Sequence, residues 1–278
     1  MARIESLSIL LDPTGQEFLQ ELYDGVIDNI QKRGISFLLK NKELSGDPEA
    51  GSVEAKRFAN AKSDSYGTAR TGGAGKKIKA KPVNVAINID QEIVEEIEAK
   101  DIKLYGVDGL LERRARNHEK TLIRELERAF FVEAANNSTA ISTIETDSAK
   151  ILEALIQQLE TTQNEYVDGV DRDMLSVVMN TSEYGKIRDF LDRDVNNSNV
   201  DTAAEEFGIF HGVKVYSSIY LPSNTKTIAM IEGAVAQPAL IRPYKPERIQ
   251  LSEAYAVSMF YYYGTKAVTP DLICKVPA

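Results

Sequence analysis

The chain has 278 residues and a mass of 30.8 kDa, with 33 basic against 42 acidic side chains, a formal net charge of −9 and a pI near 5.0. One cysteine excludes an intrachain disulfide and any zinc site built on clustered thiolates. No apolar run approaches the ~18 residues of a membrane span, and an acidic pI argues against general coating of DNA, which needs clustered Lys and Arg.

The start, MARIESLSILLDP, sets Glu5 and Asp12 around a short apolar run with no small-residue cleavage site, so no signal peptide is expected. Asp12-Pro13 reads as an N-cap with proline at the first helical position. Phe18, Leu22, Val26 and Ile30 then recur at helical spacing up to Gly34, predicting a helix over 13–33. Gly46, Asp47 and Pro48 break the pattern.

Residues 50–81 hold eight basic side chains (Lys56, Arg57, Lys62, Arg70, Lys76, Lys77, Lys79 and Lys81) against Glu54 and Asp64, so this segment is +6 and the rest of the chain −15. Its first part is weakly strand-like and Thr71-Gly72-Gly73-Ala74-Gly75 supplies turn residues. Val83, Val85, Ile87 and Ile89 then alternate with polar or small residues, a half-buried strand. The pattern predicts a long hairpin with a glycine-rich tip. Such a hairpin has little core and needs a surface to lie on.

Residues 91–100 read as a short acidic helix with Ile93 and Ile97 on one face. Asp108 is placed to cap a longer helix reaching Asn136, with Leu111, Ala115, His118, Leu122, Leu126 and Ala129 as its inner stripe. At ~1.5 Å per residue it would span about 40–45 Å. Beyond the boundary at Asn136-Asn137-Ser138-Thr139 the order is helix (148–158), strand (174–179), helix (182–191), polar loop (192–206) and strands at 213–217 and 227–231. A long strand at 254–263 follows. The composition of elements is α+β.

Candidate chemistry is sparse. Gly75-Lys76 lacks the flanking residues of a phosphate loop, since Arg70 and Lys77 stand where Gly and Ser or Thr are needed. His118 reads as a packing residue and His211 as part of a turn. Asp168, Asp171 and Asp173 lack the glycine position and the twelfth-position Glu of a calcium loop. Of Tyr261, Tyr262 and Tyr263 only the first and third share a strand face, which fits core or interface better than base stacking. No cofactor, catalytic residue or metal site is expected. The basic hairpin has three readings: a nucleic-acid contact, for which it lacks interleaved aromatics except Phe58 and Tyr66, a solvated loop, or an arm across an acidic copy of the same chain. The opposite charge of the body makes the third the natural one, with Glu92, Glu95, Glu96 and Glu98 as candidate partners.

Several runs have a familiar look in combination: Asp101-Ile-Lys-Leu-Tyr105-Gly106-Val-Asp108-Gly109, then Arg113-Arg114-Ala115-Arg116-Asn117-His118-Glu119, Glu127-Arg128-Ala129-Phe130-Phe131, Met179-Asn180-Thr181-Ser182-Glu183-Tyr184, Gly233-Ala234-Val235-Ala236-Gln237-Pro238 and Tyr263-Gly264-Thr265. In this order, after an arm and a basic hairpin, they resemble the major capsid proteins of tailed bacteriophages, the Hong Kong 97 shell fold, and the small shell proteins of phages of Gram-positive bacteria in particular. The resemblance implies an N-terminal arm (1–49), an extended loop (50–90), a peripheral domain with a spine helix (91–137 and 239–278) and an axial domain (138–238).

It further implies a non-enzymatic subunit that self-assembles as pentamers and hexamers into an icosahedral head around double-stranded DNA. The shell would be built in the host bacterial cytoplasm, without tight DNA binding and without a membrane. Portal and decoration proteins would be its other partners. The arm begins at Met1, so a separate scaffolding protein, or none, is expected. No Asn or Glu can be matched to a crosslink from Lys76, Lys77 or Lys79, so none is expected. The alternatives are an encapsulin-like compartment shell and a soluble α/β enzyme.

Overall fold

The computed structural model describes residues 6–61, 63–67, 77–103, 105–192, 200–201 and 206–278. The glycine-rich hairpin tip, with Lys62, Arg70 and Lys76, and most of the 192–206 loop lie outside the described residues.

The arm helix α1 (Pro13–Arg33) starts on Pro13 and stops at Gly34, as the sequence predicts, and a short helix α2 (Ile35–Leu39) follows it. The spine helix α3 runs from Gly106 to Asn136, so Asp108 lies inside its first turn and Tyr105 occupies the capping position. Leu111, Ala115, His118, Leu122 and Leu126 form the buried stripe, joined by Ala129 at its margin.

The 91–100 expectation is corrected: Ile89–Ile97 is a strand, paired antiparallel with the return strand Tyr255–Tyr263 over its whole length. Ile89, Ile93 and Ile97 are four apart, a spacing that fits both a helix face and every second residue of a strand face. The decision falls to Glu95, which shares their inward face because Arg114 and His118 of α3 receive it. On its other edge the return strand pairs with Lys245–Arg248 and Ala239–Ile241. Val257, Met259, Tyr261 and Tyr263 point from it into a core shared with α1 and α3. The Tyr261 and Tyr263 rings stack there at 6.4 Å, and the Tyr261 hydroxyl donates to the Glu125 carboxylate.

A second core lies under helices α4 (Ser148–Glu160) and α5 (Thr181–Asp192). Asp147 caps α4 through the Ala149 N–H. The sheet order is Thr139–Ala140, Ile273–Pro277, Thr225–Ile231, Leu175–Met179, Val213–Ser217, Ile209–Phe210. Leu175–Met179 is buried along its full length. Leu175, Val177 and Met179 face α4 and α5, whereas Val178 faces a third cluster with Phe130 and Phe131 of the spine. Ile228 and Met230 alternate with Ala229 in the same way, as does Ile273 with Cys274. Period-two alternation thus lets one sheet serve two cores. The last strand, Ile273–Pro277, belongs to this sheet, so the segment 239–278 is divided between the two units and does not stay with the spine.

Candidate assembly surfaces

The hairpin is a real element with a short reach into the body. Ser52–Phe58 pairs antiparallel with Ala80–Ala86, in register from Ser52 opposite Ala86 to Phe58 opposite Ala80. The ladder ends at Ala86, before the Val83–Ile89 alternation does, because Ile89 already belongs to the peripheral sheet. Leu44–Ser45 adds a third strand at the base. Val53, Ala55 and Val85 are the buried face, packed on Ala236 and Val268. The backbone of Gly264 comes so close that a Cβ there would lie 1.8 Å from the Ala86 carbonyl oxygen, an approach only glycine permits.

Arg57 falls on the same face as Val53 and Ala55. It makes a bidentate pair with Asp271 at 2.6 and 2.5 Å and lies over the Tyr166 ring. Burial pushes the Asp271 carboxyl up, but hydrogen bonds from Arg57 and Asn164 outweigh it and hold it below its ordinary value. Lys79 reaches Glu165 at 3.2 Å, and Asn60 N–H donates to the Glu165 carbonyl. The stem is therefore bolted to the axial unit. Farther out the apolar side chains leave the body: Phe58 is 55% exposed and Ile78 85%. Of the expected hairpin cations, Arg57 and Lys79 pair within the subunit, Lys56 lies 3.7 Å from Glu54, and Lys77 and Lys81 are exposed.

The arm is fixed within the subunit as well. Two carboxylates of the spine, two helical turns apart, hold it. Glu119 accepts from Asn29 at 3.1 Å and Arg33 at 3.2 Å. Glu127 accepts from the Ile35 N–H at 2.6 Å and the Ser218 hydroxyl at 3.4 Å. Burial pushes the Glu127 carboxyl up to about 7 against the hydrogen bonds from Ile35, Ser218 and Ser36.

His118 is a buried packing residue, with Nδ1 2.9 Å from the Tyr244 hydroxyl and Nε2 3.2 Å from Glu95. Burial holds its imidazole below the ordinary value although Glu95 pulls the other way. Glu95 is thus engaged inside the subunit, and Glu98 pairs with Lys100, while Glu92 and Glu96 are exposed. His211 and Gly212, both at positive φ, make the turn between Ile209–Phe210 and Val213–Ser217. Beside them Arg172 bridges Glu153 and Glu160. Among the described residues no cluster of metal-ligating side chains occurs, and no helix is long and apolar enough to cross a membrane.

Solved structures with the same arrangement include phage capsids. The capsid of cyanophage P-SCSP1u superposes with a TM-score of 0.65 at 15% identity, covering 87% of this chain and 86% of that one. The fold is the Hong Kong 97 shell fold. A chain of Mycobacterium phage Che8 matches at 0.60 with 17% identity, over 81% of this chain and 84% of its own. A virus-like particle from Pyrococcus furiosus matches at 0.56 with 12% identity, over 94% and 99%. No protein-family model matches the sequence, and no curated protein matches it.

The pairing of Arg57 with Asp271 was signalled by the phase of Arg57, two residues from Ala55 on the inward face. The contacts of Glu127 had no local signal, since their partners stand about ninety residues away on either side.

Proposed function

We propose that this chain is the major capsid protein of a tailed phage, assembling as pentamers and hexamers into an icosahedral head around double-stranded DNA. The observation that carries the proposal is the hairpin: a stem fixed to the body by Arg57–Asp271 and Gly264, ending in exposed Phe58, Ile78, Lys77 and Lys81. A projecting apolar and cationic element on an acidic body fits an identical neighbour, and repetition of one modest interface around closed symmetry stabilises a shell collectively. The role is structural and assigns no chemistry to any side chain. Portal, scaffolding and decoration proteins are the further partners, and the host bacterial cytoplasm the place of assembly.

A second reading, a compartment shell holding a protein cargo, is favoured by the near end-to-end match to the Pyrococcus furiosus particle. The contents of purified particles separate the two: packaged DNA supports the phage head, an enclosed enzyme the compartment. Electron microscopy of the purified protein, with and without co-expressed scaffold candidates, tests the shell itself. Replacing Lys77 and Lys81 by Glu should abolish shells while leaving the thermal midpoint of the subunit unchanged. Small discrete oligomers under every condition would overturn the shell reading, and normal shells from the double variant would overturn the role of the hairpin charge.

A further inference from the structure

Where the arm ends and the hairpin stem begins, an open cleft of about 350 Å³ separates the two from the axial sheet. Lys40, Lys42, Lys56 and Arg57 line it, with Glu43 and Glu232. Most of this charge is balanced inside the subunit. Arg57 is held by Asp271, Glu232 accepts from Lys214 at 2.9 Å, and Lys56 faces Glu54. Lys40 and Lys42 have no ion pair among the described residues. Lys40 is partly withdrawn from water over the Phe37 ring, 3.8 Å from its centroid, and burial, then the neighbouring Lys42, lower its ammonium to about 8.

Two ammonium groups in one recess, Lys40 half-buried and Lys42 exposed, form a donor set that lacks its acceptor. Keeping the half-buried Lys40 cation without a partner is unfavourable, and an entering anion relieves it. With Glu43 counted, the unbalanced charge is near +1, which suits one carboxylate and disfavours a polyphosphate. In a shell of identical subunits, each of net charge −9, neighbouring carboxylates are abundant. We propose that this cleft receives an Asp or Glu side chain from a second copy of the chain, bound by Lys40 and Lys42.

The inference rests on the shell reading and is tested on assembled shells. Subunits labelled with light and heavy nitrogen are mixed, assembled and treated with a carbodiimide, which joins amines only to carboxylates in contact. Mass spectrometry should find Lys40 or Lys42 linked to Asp or Glu in peptides of mixed label. Shells that yield only same-label links, or no link at either lysine, would overturn the proposal and leave the shell reading standing. So would an electron-microscopy map with nucleic-acid phosphate in the cleft. Failure of the unaltered protein to form shells is seen in the microscope before coupling, and removes the shell reading and this inference together. The Lys40→Gln/Lys42→Gln variant should raise the subunit concentration needed for assembly about tenfold, with an unchanged or higher thermal midpoint. An unchanged assembly threshold would also overturn the proposal.

Discussion

The hairpin and the spine junction are both made of strands and apolar side chains, yet they use them oppositely. At the junction Phe130 and Phe131 of the spine, edge to face at 5.5 Å, sit with Leu39, Val178, Ile228 and Ile273 from four other segments, all excluded from water. Among the described residues of the hairpin only Val53, Ala55 and Val85 are buried, all near its base, and Phe58 and Ile78 are exposed. Apolar area stabilises the subunit in the first case. In the second it is kept for contacts the subunit cannot make alone.

The sharpest way to break that contrast is a pair of truncations. Phe130→Ala should cost about 3–5 kcal/mol, since it removes a fully buried ring where segments from both units meet. Phe58→Ala should change subunit stability by no more than about 0.5 kcal/mol. Urea unfolding of the unassembled subunit measures both, and similar losses in the two variants would erase the distinction.

The difference between the regions also governs what the sequence reveals. The arm helix, the spine stripe and the strands at 213–217 and 255–263 are legible because each buries one face, or one continuous run, against a neighbour, and periodicity records that directly. The strand at 89–97 is not legible, because Ile89, Ile93 and Ile97 satisfy two periods and Glu95 looks like a solvated residue until Arg114 of the spine is brought to it. The hairpin is legible from charge and glycine content, but its attachment is not, since Arg57 meets a carboxylate more than two hundred residues away. The Lys40 cleft is assembled from the arm, the hairpin stem, the 231–233 turn and the 268–269 segment, and no single stretch of chain announces it.

A second prediction concerns the clamp between arm and spine. Folding raises the Glu127 carboxyl from its ordinary 4.5 to about 7, chiefly by burial. A raised value means that the folded protein binds the proton more tightly than the unfolded chain. The associated stability is fully present below about pH 4.5 and is lost as pH rises through about 7. The ceiling is about 3 kcal/mol. Glu127→Gln keeps an acceptor for the Ile35 N–H and cannot ionise, so it should remove this pH dependence and be more stable than the unaltered protein above pH 7. Urea unfolding between pH 5 and 8 checks this. Parallel pH profiles for the two proteins would show that Glu127 is not the titrating clamp.

The smallest effect is the one that locates the border between the two regions. Arg57 is 11% exposed and Asp271 28%, so the pair is screened only in part. A double-mutant cycle with Arg57→Met and Asp271→Asn should give a coupling of about 1–2 kcal/mol in subunit stability. The Asp271 carboxyl is held below its ordinary value, so this stability is present above that ordinary value and is lost as pH falls through the depressed one. Arg57 would then count with Val53 and Val85 as part of the folded body, although it sits in the basic segment. The charge offered to a neighbour would begin beyond it, at the exposed Lys77 and Lys81. A cycle with no coupling, together with loss of shells from Arg57→Met, would instead move the border inward and make Arg57 part of the contact between subunits.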